Sequence, residues 1–388
     1  MTEKNLAEID LSALKHNFLV LKNRIKAASP NTEPMCVVKA DAYGHVAEFC
    51  VPALYEAGAR SFAVSSIEEA EQIFAILDKK NCVAGSILIL GYTPPESENV
   101  KLLARHKITQ AVYSLEYANA LSDEVKKLHS LGVLDEGDGI RCHIKLDSGM
   151  NRLGFDTHAD SAENTVNEIL EVSKLSGIRI DGVFSHFACA DDADKDHSYA
   201  QFNRYNTIVE QCEQKGVTFA CKHICNSAGA LRFPDMYQDM VRLGIVLYGL
   251  SPSELAFDKE LIPVMRLKSR IAHIHKLHAG DCVSYGAEFC AEKEMTVATI
   301  PIGYADGFLR GYKNGTVMVG STPVKLLGRV CMDQCMIDVT DIDVNIGDYV
   351  YIFDESGENI KRLCAAAGTI NYEAICLVSK RVKRVPIN

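Results

Sequence analysis

Up to about residue 250 the chain alternates short apolar runs with longer segments whose apolar residues recur every three or four positions. The short runs read as strands buried on both faces, the longer segments as amphipathic helices. After Ser12, a good N-cap, Leu14, Phe18, Leu21 and Ile25 predict the first helix. Strands are predicted at 35–40, 61–65, 87–90, 109–113, 141–146 and 180–185, and near 221–225 and 240–247. Between them, Val46, Phe49, Ala53 and Ala57 mark a helix face stopped by Gly58. Ser66 and Glu69 form a capping box before a helix with Ile73, Phe74 and Leu77 inward. Further helices are predicted at 116–130, 160–175 and 198–214. Eight βα units in about 240 residues is the size of a (β/α)₈ barrel. A doubly wound sheet is the rival; count and length favour the barrel.

Beyond about residue 255, strands follow strands. Arg266–Lys276 alternates, Thr296–Pro301 is β-rich, and Asn314-Gly315 is a hairpin signal before Val317. Gly347-Asp348 precedes Tyr349–Phe353. The expected organisation is an α/β chain: a (β/α)₈ barrel over 12–252, then a mostly β domain over 253–388 joined by residues 1–11.

Composition narrows the function classes. Of 388 residues, 47% are hydrophobic and 24% charged, which excludes a disordered chain. Lys+Arg 41 against Asp+Glu 51 leaves −10, and no basic run offers a surface to nucleic acid. No apolar stretch reaches the ~18 residues of a membrane span. The first ten residues carry Glu3, Glu8 and Asp10 and no apolar core, so a signal peptide is not expected and the cytoplasm is. The fourteen cysteines are expected to be small buried hydrophobes in a reducing compartment rather than a disulfide scaffold.

In a barrel, chemistry sits at the C-terminal ends of the strands. There the sequence places Lys39, Lys145 with Asp147 and Arg152, Ser185-His186, Asn226-Ser227 and Arg242 with Gly244-Ile245. A core would not choose these groups. Lys39, ending an apolar run, is either a lysine that snorkels to the rim or a desolvated amine able to attack a carbonyl. Ser227 opens a helix among small residues, a setting suited to phosphate, or to an ordinary N-cap. A carbonyl-binding lysine with a phosphate cup at strands seven and eight suggests pyridoxal 5′-phosphate.

Val-Val-Lys39-Ala-Asp-Ala-Tyr43-Gly-His45 resembles the cofactor-lysine motif of alanine racemases. The resemblance continues through Lys145 to Arg152-Leu-Gly, Ser-His186-Phe-Ala, Asn226-Ser227-Ala, Arg242-Leu-Gly244-Ile245, Val-Ser-Tyr285-Gly, Pro-Ile-Gly-Tyr304, Cys-Met332-Asp333-Gln and Asn371-Tyr372-Glu. It implies that Lys39 carries the cofactor and is one of two catalytic bases. Tyr285, from a partner subunit, is the other. Tyr43, Ser227, Gly244, Ile245 and Tyr372 would hold the phosphate. Arg242 would face the pyridine nitrogen, with His186 and Asn226 beside it. Arg152 and the Met332 backbone would take the substrate carboxylate, and Tyr304 and Asp333 would line the entrance. Lys145 matches a lysine that the family carbamylates. The implied protein is a homodimer with shared sites that supplies D-alanine for peptidoglycan. Racemisation needs a proton removed from one face and returned to the other, which two opposed bases accomplish. Tyr285 would have to be depressed from about 10 to act at neutral pH.

One departure is visible: Val46 stands where the family usually has glycine, and only a local packing change is expected. A racemase preferring serine or a broader range of amino acids is the alternative, and the bulk of Tyr372 argues for alanine. A related decarboxylase, a non-catalytic cofactor carrier and a metal-dependent barrel hydrolase resting on His186 and His223 fit less well. No metal is expected. His273, His275 and His278 read as surface β histidines, and Cys221-Lys-His223-Ile-Cys225 lacks the second cysteine pair of a zinc site.

Overall fold

The computed structural model describes residues 3–256 and 258–388. Eight strands build the first domain: Glu33–Val37 (β1), Ser61–Val64 (β2), Ser86–Ile89 (β3), Thr109–Val112 (β4), Ile140–Asp147 (β5), Ile178–Phe184 (β6), Cys221–His223 (β7) and Met240–Leu243 (β8). They pair in parallel in the order β8-β1-β2-β3-β4-β5-β6-β7. The Arg242 N–H donates to the Cys225 carbonyl at 3.0 Å and nearly closes the ring. Core on one side and helices on the other bury both faces, so β2 and β4 are buried along their whole length. The expected barrel, and not the open sheet, is the fold.

The second domain is built on a nine-stranded sheet. The N-terminal strand Asn5–Asp10 lies inside that sheet, antiparallel to Met265–Arg270 and parallel to Lys383–Ile387. Helix Asn371–Leu377 returns to the barrel, where the Ile375 carbonyl would lie 2.5 Å from any Cβ on Gly44. Only glycine admits that approach, and it brings the second domain to the end of β1. Among the described residues no helix is long and apolar enough to cross a membrane.

Several local expectations change. The first helix starts at Leu11 and is capped by Asp10, whose carboxylate accepts the Ala13 N–H, so Ser12 is already inside it. The helix after β1 spans Ala47–Glu56 and buries Ala47, Cys50, Val51 and Leu54 along with Ala53; its face is turned from the one expected because Val46 only precedes the first turn. Ser66 caps its helix as expected, but Glu69 reaches past the cap to other N–H groups. Arg266–Lys276 is two strands, broken between Arg270 and His273. Asn314-Gly315 is a turn that leads into Thr316–Val319; the hairpin itself closes at Gly320-Ser321.

The cysteines also divide. Cys36, Cys50, Cys142, Cys212, Cys225, Cys335 and Cys364 are buried as expected. Cys376 is exposed, and Cys282 and Cys290 are joined in a disulfide. Their register, directly opposite in a two-stranded hairpin, puts the sulfurs in reach, which no linear spacing could show.

Candidate active site

β1 ends at Val37, and Lys39 opens a left-handed turn in which Ala40, Asp41, Ala42 and Tyr43 have φ of 51°, 53°, 56° and 54°. Each residue with a Cβ costs about 1–2 kcal/mol there, so the turn must be held from outside. Glu69 does so: Oε1 accepts the Ala40 N–H and Oε2 the Ser65 N–H, both at 2.7 Å. Asp41 Oδ1 accepts the Ala47 N–H at 2.7 Å. Val46 has φ 67°, so the departure from glycine is a strained backbone and more than the packing change expected.

A cavity of about 510 Å³ opens at the C-terminal ends of the strands. Lys39, Tyr43, Arg152, His186, Asn226, Ser227, Arg242, Gly244 and Tyr372 all line it. A larger cleft of about 750 Å³ lies at the opposite ends, among Lys107, Asp138, Arg141 and Arg179. Its two arginines already pair with Asp181 and none of the residues expected at the site lines it, so the smaller cavity is the candidate site.

At β7 and β8 the cavity forms a cradle. Asn226 caps helix Ser227–Arg232 through its side chain, and the Ser227 hydroxyl accepts the Gly244 N–H at 2.9 Å. A Cβ on Gly244 would lie 2.8 Å from the Tyr43 hydroxyl and 3.3 Å from the Ser227 hydroxyl. Glycine keeps this pocket of hydroxyl and N–H groups open. Ile245 is fully buried and begins a short turn, Ile245–Tyr248, whose first N–H groups have no partner within the turn.

Arg242 is buried and burial pulls it down to about 10, leaving it charged at neutral pH. Nη1 donates to His223 Nδ1 at 2.6 Å; Nη2 donates to the Ser185 and Ile224 carbonyls and to His186 Nδ1 at 3.1 Å. Its Nε–H has no acceptor among the described residues. Burial, then Arg242 and the nearby lysines and Arg152, holds His186 well below its ordinary value. Burial and then Arg152 also lower Lys39, while Glu69 and Cys376 oppose.

β5 supplies Lys145, whose Nζ donates to the Leu146 carbonyl at 2.7 Å. Asp147, which was not singled out for a role, gathers the loop that follows. Its Oδ1 accepts the N–H groups of Gly149, Met150 and Asn151, and its Oδ2 that of Arg152. An Asp-Ser-Gly step after a strand is the signal that could have found it. Glu69 gave no such signal beyond its cap. Ile370, Glu373 and Cys376 line the cavity beside the expected Tyr372, and no motif singled them out.

Tyr285, Tyr304, Met332 and Asp333 do not line this cavity. Tyr304 and Met332 adjoin through the bonds of Tyr304 and Ala305 N–H to the Cys331 and Met332 carbonyls. Ser284, preceding Tyr285, lies 3.4 Å from Cys331 Sγ. Tyr285, Tyr304 and Met332 are 69%, 42% and 52% exposed. Asp333 is paired with Arg381 at 2.7 Å. They form a surface group of the second domain, apolar rings and a thioether turned to solvent.

Family models of the alanine racemase N-terminal domain and C-terminal domain match residues 9–252 and 264–386. The chain is 38% identical over 390 residues to an alanine racemase of Clostridium novyi, covering 98% of this chain and 95% of that one. It is 39% identical to one of Methanococcus maripaludis, covering 98% and 97%. The structure of alanine racemase from Clostridium difficile superposes with a TM-score of 0.86 at 38% identity, over 100% of this chain and 96% of that one. That of the Bacillus anthracis enzyme with bound L-Ala-P gives 0.84 at 30%, over 100% and 96%. Both domains match in order and nearly end to end, over the barrel that holds the cavity and the second domain that carries Tyr285: the chain belongs to the alanine racemase family.

Proposed function

We propose that the protein interconverts L- and D-alanine with pyridoxal 5′-phosphate held in the cavity below Lys39. The observation that carries this is the meeting in one cavity of a lysine with a lowered pKa, an arginine with a free Nε–H and a cradle that a Cβ on Gly244 would fill. These fit the cofactor's aldehyde, ring nitrogen and phosphate. Ser227, Tyr43, Tyr372 and the N–H groups of Gly244 and Ile245 would take the phosphate. When bound, the cofactor stabilises negative charge at the substrate α-carbon. Arg242, which stays charged, would hydrogen-bond the ring nitrogen without giving it a proton. Arg152 binds the substrate carboxylate. Lys39 moves the proton on one face, and Tyr285 of the partner subunit moves it on the other.

The exposed Tyr285, Tyr304 and Met332 support a homodimer in which this patch, with Asp333, covers a second copy's cavity. Residues 12–252 and 253–388, the latter joined by 1–11, are proposed as its two folding units. The product would feed peptidoglycan synthesis in the cytoplasm. No observation favours the serine-preferring alternative, and the matched relatives quoted are alanine racemases.

The test is racemisation across a panel of L-amino acids by the yellow, cofactor-loaded protein, followed by borohydride reduction and peptide mapping. Alanine should be the preferred substrate and Lys39 the labelled residue. Gly244→Ala should weaken cofactor binding at least about tenfold. A protein that takes up no cofactor, or a label elsewhere, overturns the reading.

A further inference from the structure

Beneath the cavity the barrel interior holds two more imidazoles in line with Arg242. His223 Nδ1 lies 2.6 Å from Arg242 Nη1, and His223 Nε2 lies 2.9 Å from His143 Nδ1. An arginine can only donate. While that bond is made, His223 Nδ1 presents a lone pair and the single proton of this neutral ring sits on Nε2, where, buried, it needs an acceptor of its own. That proton has one acceptor, His143 Nδ1, so the His143 proton is on Nε2. Every hydrogen in the row points away from the guanidinium.

The surroundings are built for this row. Burial brings His143 down to about 4, with Asp181 opposing and Arg242 adding, and burial then Arg242 hold His223 well below its ordinary value. Both rings are neutral at neutral pH. Phe184 stacks on His223, centroids 4.9 Å apart at 10°. On β6, a Cβ on Gly182 would lie 2.7 Å from His143 Nε2, so glycine makes room for the ring. Cys221 Sγ lies within 4.8 Å of the facing nitrogens, giving a ligand set of two histidines and a thiol. A cation on His223 Nε2 would drive a proton onto Nδ1, donor against donor with Arg242. The hydrogen bonds therefore favour a fixed donor–acceptor row over a metal site.

We propose that His143 is a positioning residue for this site: by accepting the His223 proton it keeps a lone pair of His223 on Arg242 and so holds the Nε–H of Arg242 toward the cavity. The link to turnover rests on the racemase reading; the tautomer of His223 does not.

The experiment compares wild type, His143→Asn and His143→Leu as full-length, cofactor-loaded proteins. Asparagine keeps an acceptor near the Nδ1 position and leucine removes it. In ¹⁵N-histidine NMR, His223, assigned by its own substitution, should show a bare Nδ1 and a protonated Nε2 in wild type and His143→Asn, and lose that pattern in His143→Leu. The leucine variant should also shift the cofactor absorption band and lower kcat about tenfold, with KM changed less than about twofold. Asparagine should restore kcat to within about threefold of wild type. An unchanged His223 pattern in His143→Leu, or its loss in His143→Asn, overturns the proposal. If the leucine variant does not fold, the asparagine spectrum still decides. Absent racemisation with the expected spectra would sink the racemase reading and leave the hydrogen-bond row standing.

Discussion

Glu69 accepts the Ala40 N–H at 2.7 Å, so a carboxylate on the helix after β2 holds the backbone next to Lys39. Four successive non-glycine residues there have positive φ, and Glu69 offsets part of that strain through Ala40, while its other oxygen, on the Ser65 N–H, anchors the carboxylate. Glu69→Ala should cost about 1–3 kcal/mol, the range for leaving N–H groups unpaired. It should also slow cofactor attachment at Lys39 more than it reduces helix content. Stopped-flow reconstitution beside urea unfolding measures both; an unchanged attachment rate would remove Glu69 from this role.

Val46 has φ 67°, a conformation glycine adopts freely and a β-branched residue does not. Val46→Gly relieves about 1–2 kcal/mol of strain and gives back about 0.5–1 in chain entropy. A net gain of up to about 1.5 kcal/mol is expected. Thermal and urea unfolding check it, and a less stable glycine variant would show that Val46 packing outweighs its backbone.

Lys145 is buried, and burial with Arg242 beside it pulls its pKa down to about 7. An unfolded lysine titrates near ~10.4. Between those values the unfolded chain binds the extra proton, so stability rises with pH. The penalty for burying the ammonium is complete below about pH 7 and is gone above the unfolded pKa. In CO₂-free buffer the urea midpoint should climb from pH 7 to 9, and Lys145→Met should flatten the climb. The neutral amine is also the form that adds CO₂, forming an N–C bond and losing a proton. With ¹³C-bicarbonate, a carbamate signal is expected in wild type and absent from Lys145→Met; a signal in both would place the carbamate elsewhere.

The Cys282–Cys290 disulfide closes the hairpin whose loop carries Tyr285. Two residue pairs alone make a marginal hairpin, and the cross-link contributes about 2–3 kcal/mol by limiting the open chain. Cys290→Ser, or dithiothreitol on wild type, should leave cofactor binding unchanged and lower kcat about tenfold by loosening Tyr285. Equal turnover in oxidised and reduced protein would detach the disulfide from catalysis.

Much of the barrel was legible because burial on both faces leaves continuous apolar runs, as at Ser61–Val64 and Thr109–Val112. Polar groups at the ends of those runs, Lys39, Arg242 and Ser227 among them, stood out as residues a core would reject, and they meet in one cavity. Helix starts were less legible. Asp10 and Ser12 are both good caps, and the choice between them depends on where the preceding strand pairs.

Residue types and their order along the chain were enough to determine the barrel, the β domain after it and the strand ends that carry the chemistry. Local pattern records which faces are buried, and that suffices for such features. Tertiary structure alone decided the grip of Glu69 on Ala40, the His143–His223–Arg242 row, the pairing of Cys282 with Cys290 and the strain at Val46. Each depends on where two distant backbones come together, or on a dihedral set by that meeting, and one-dimensional periodicity carries neither.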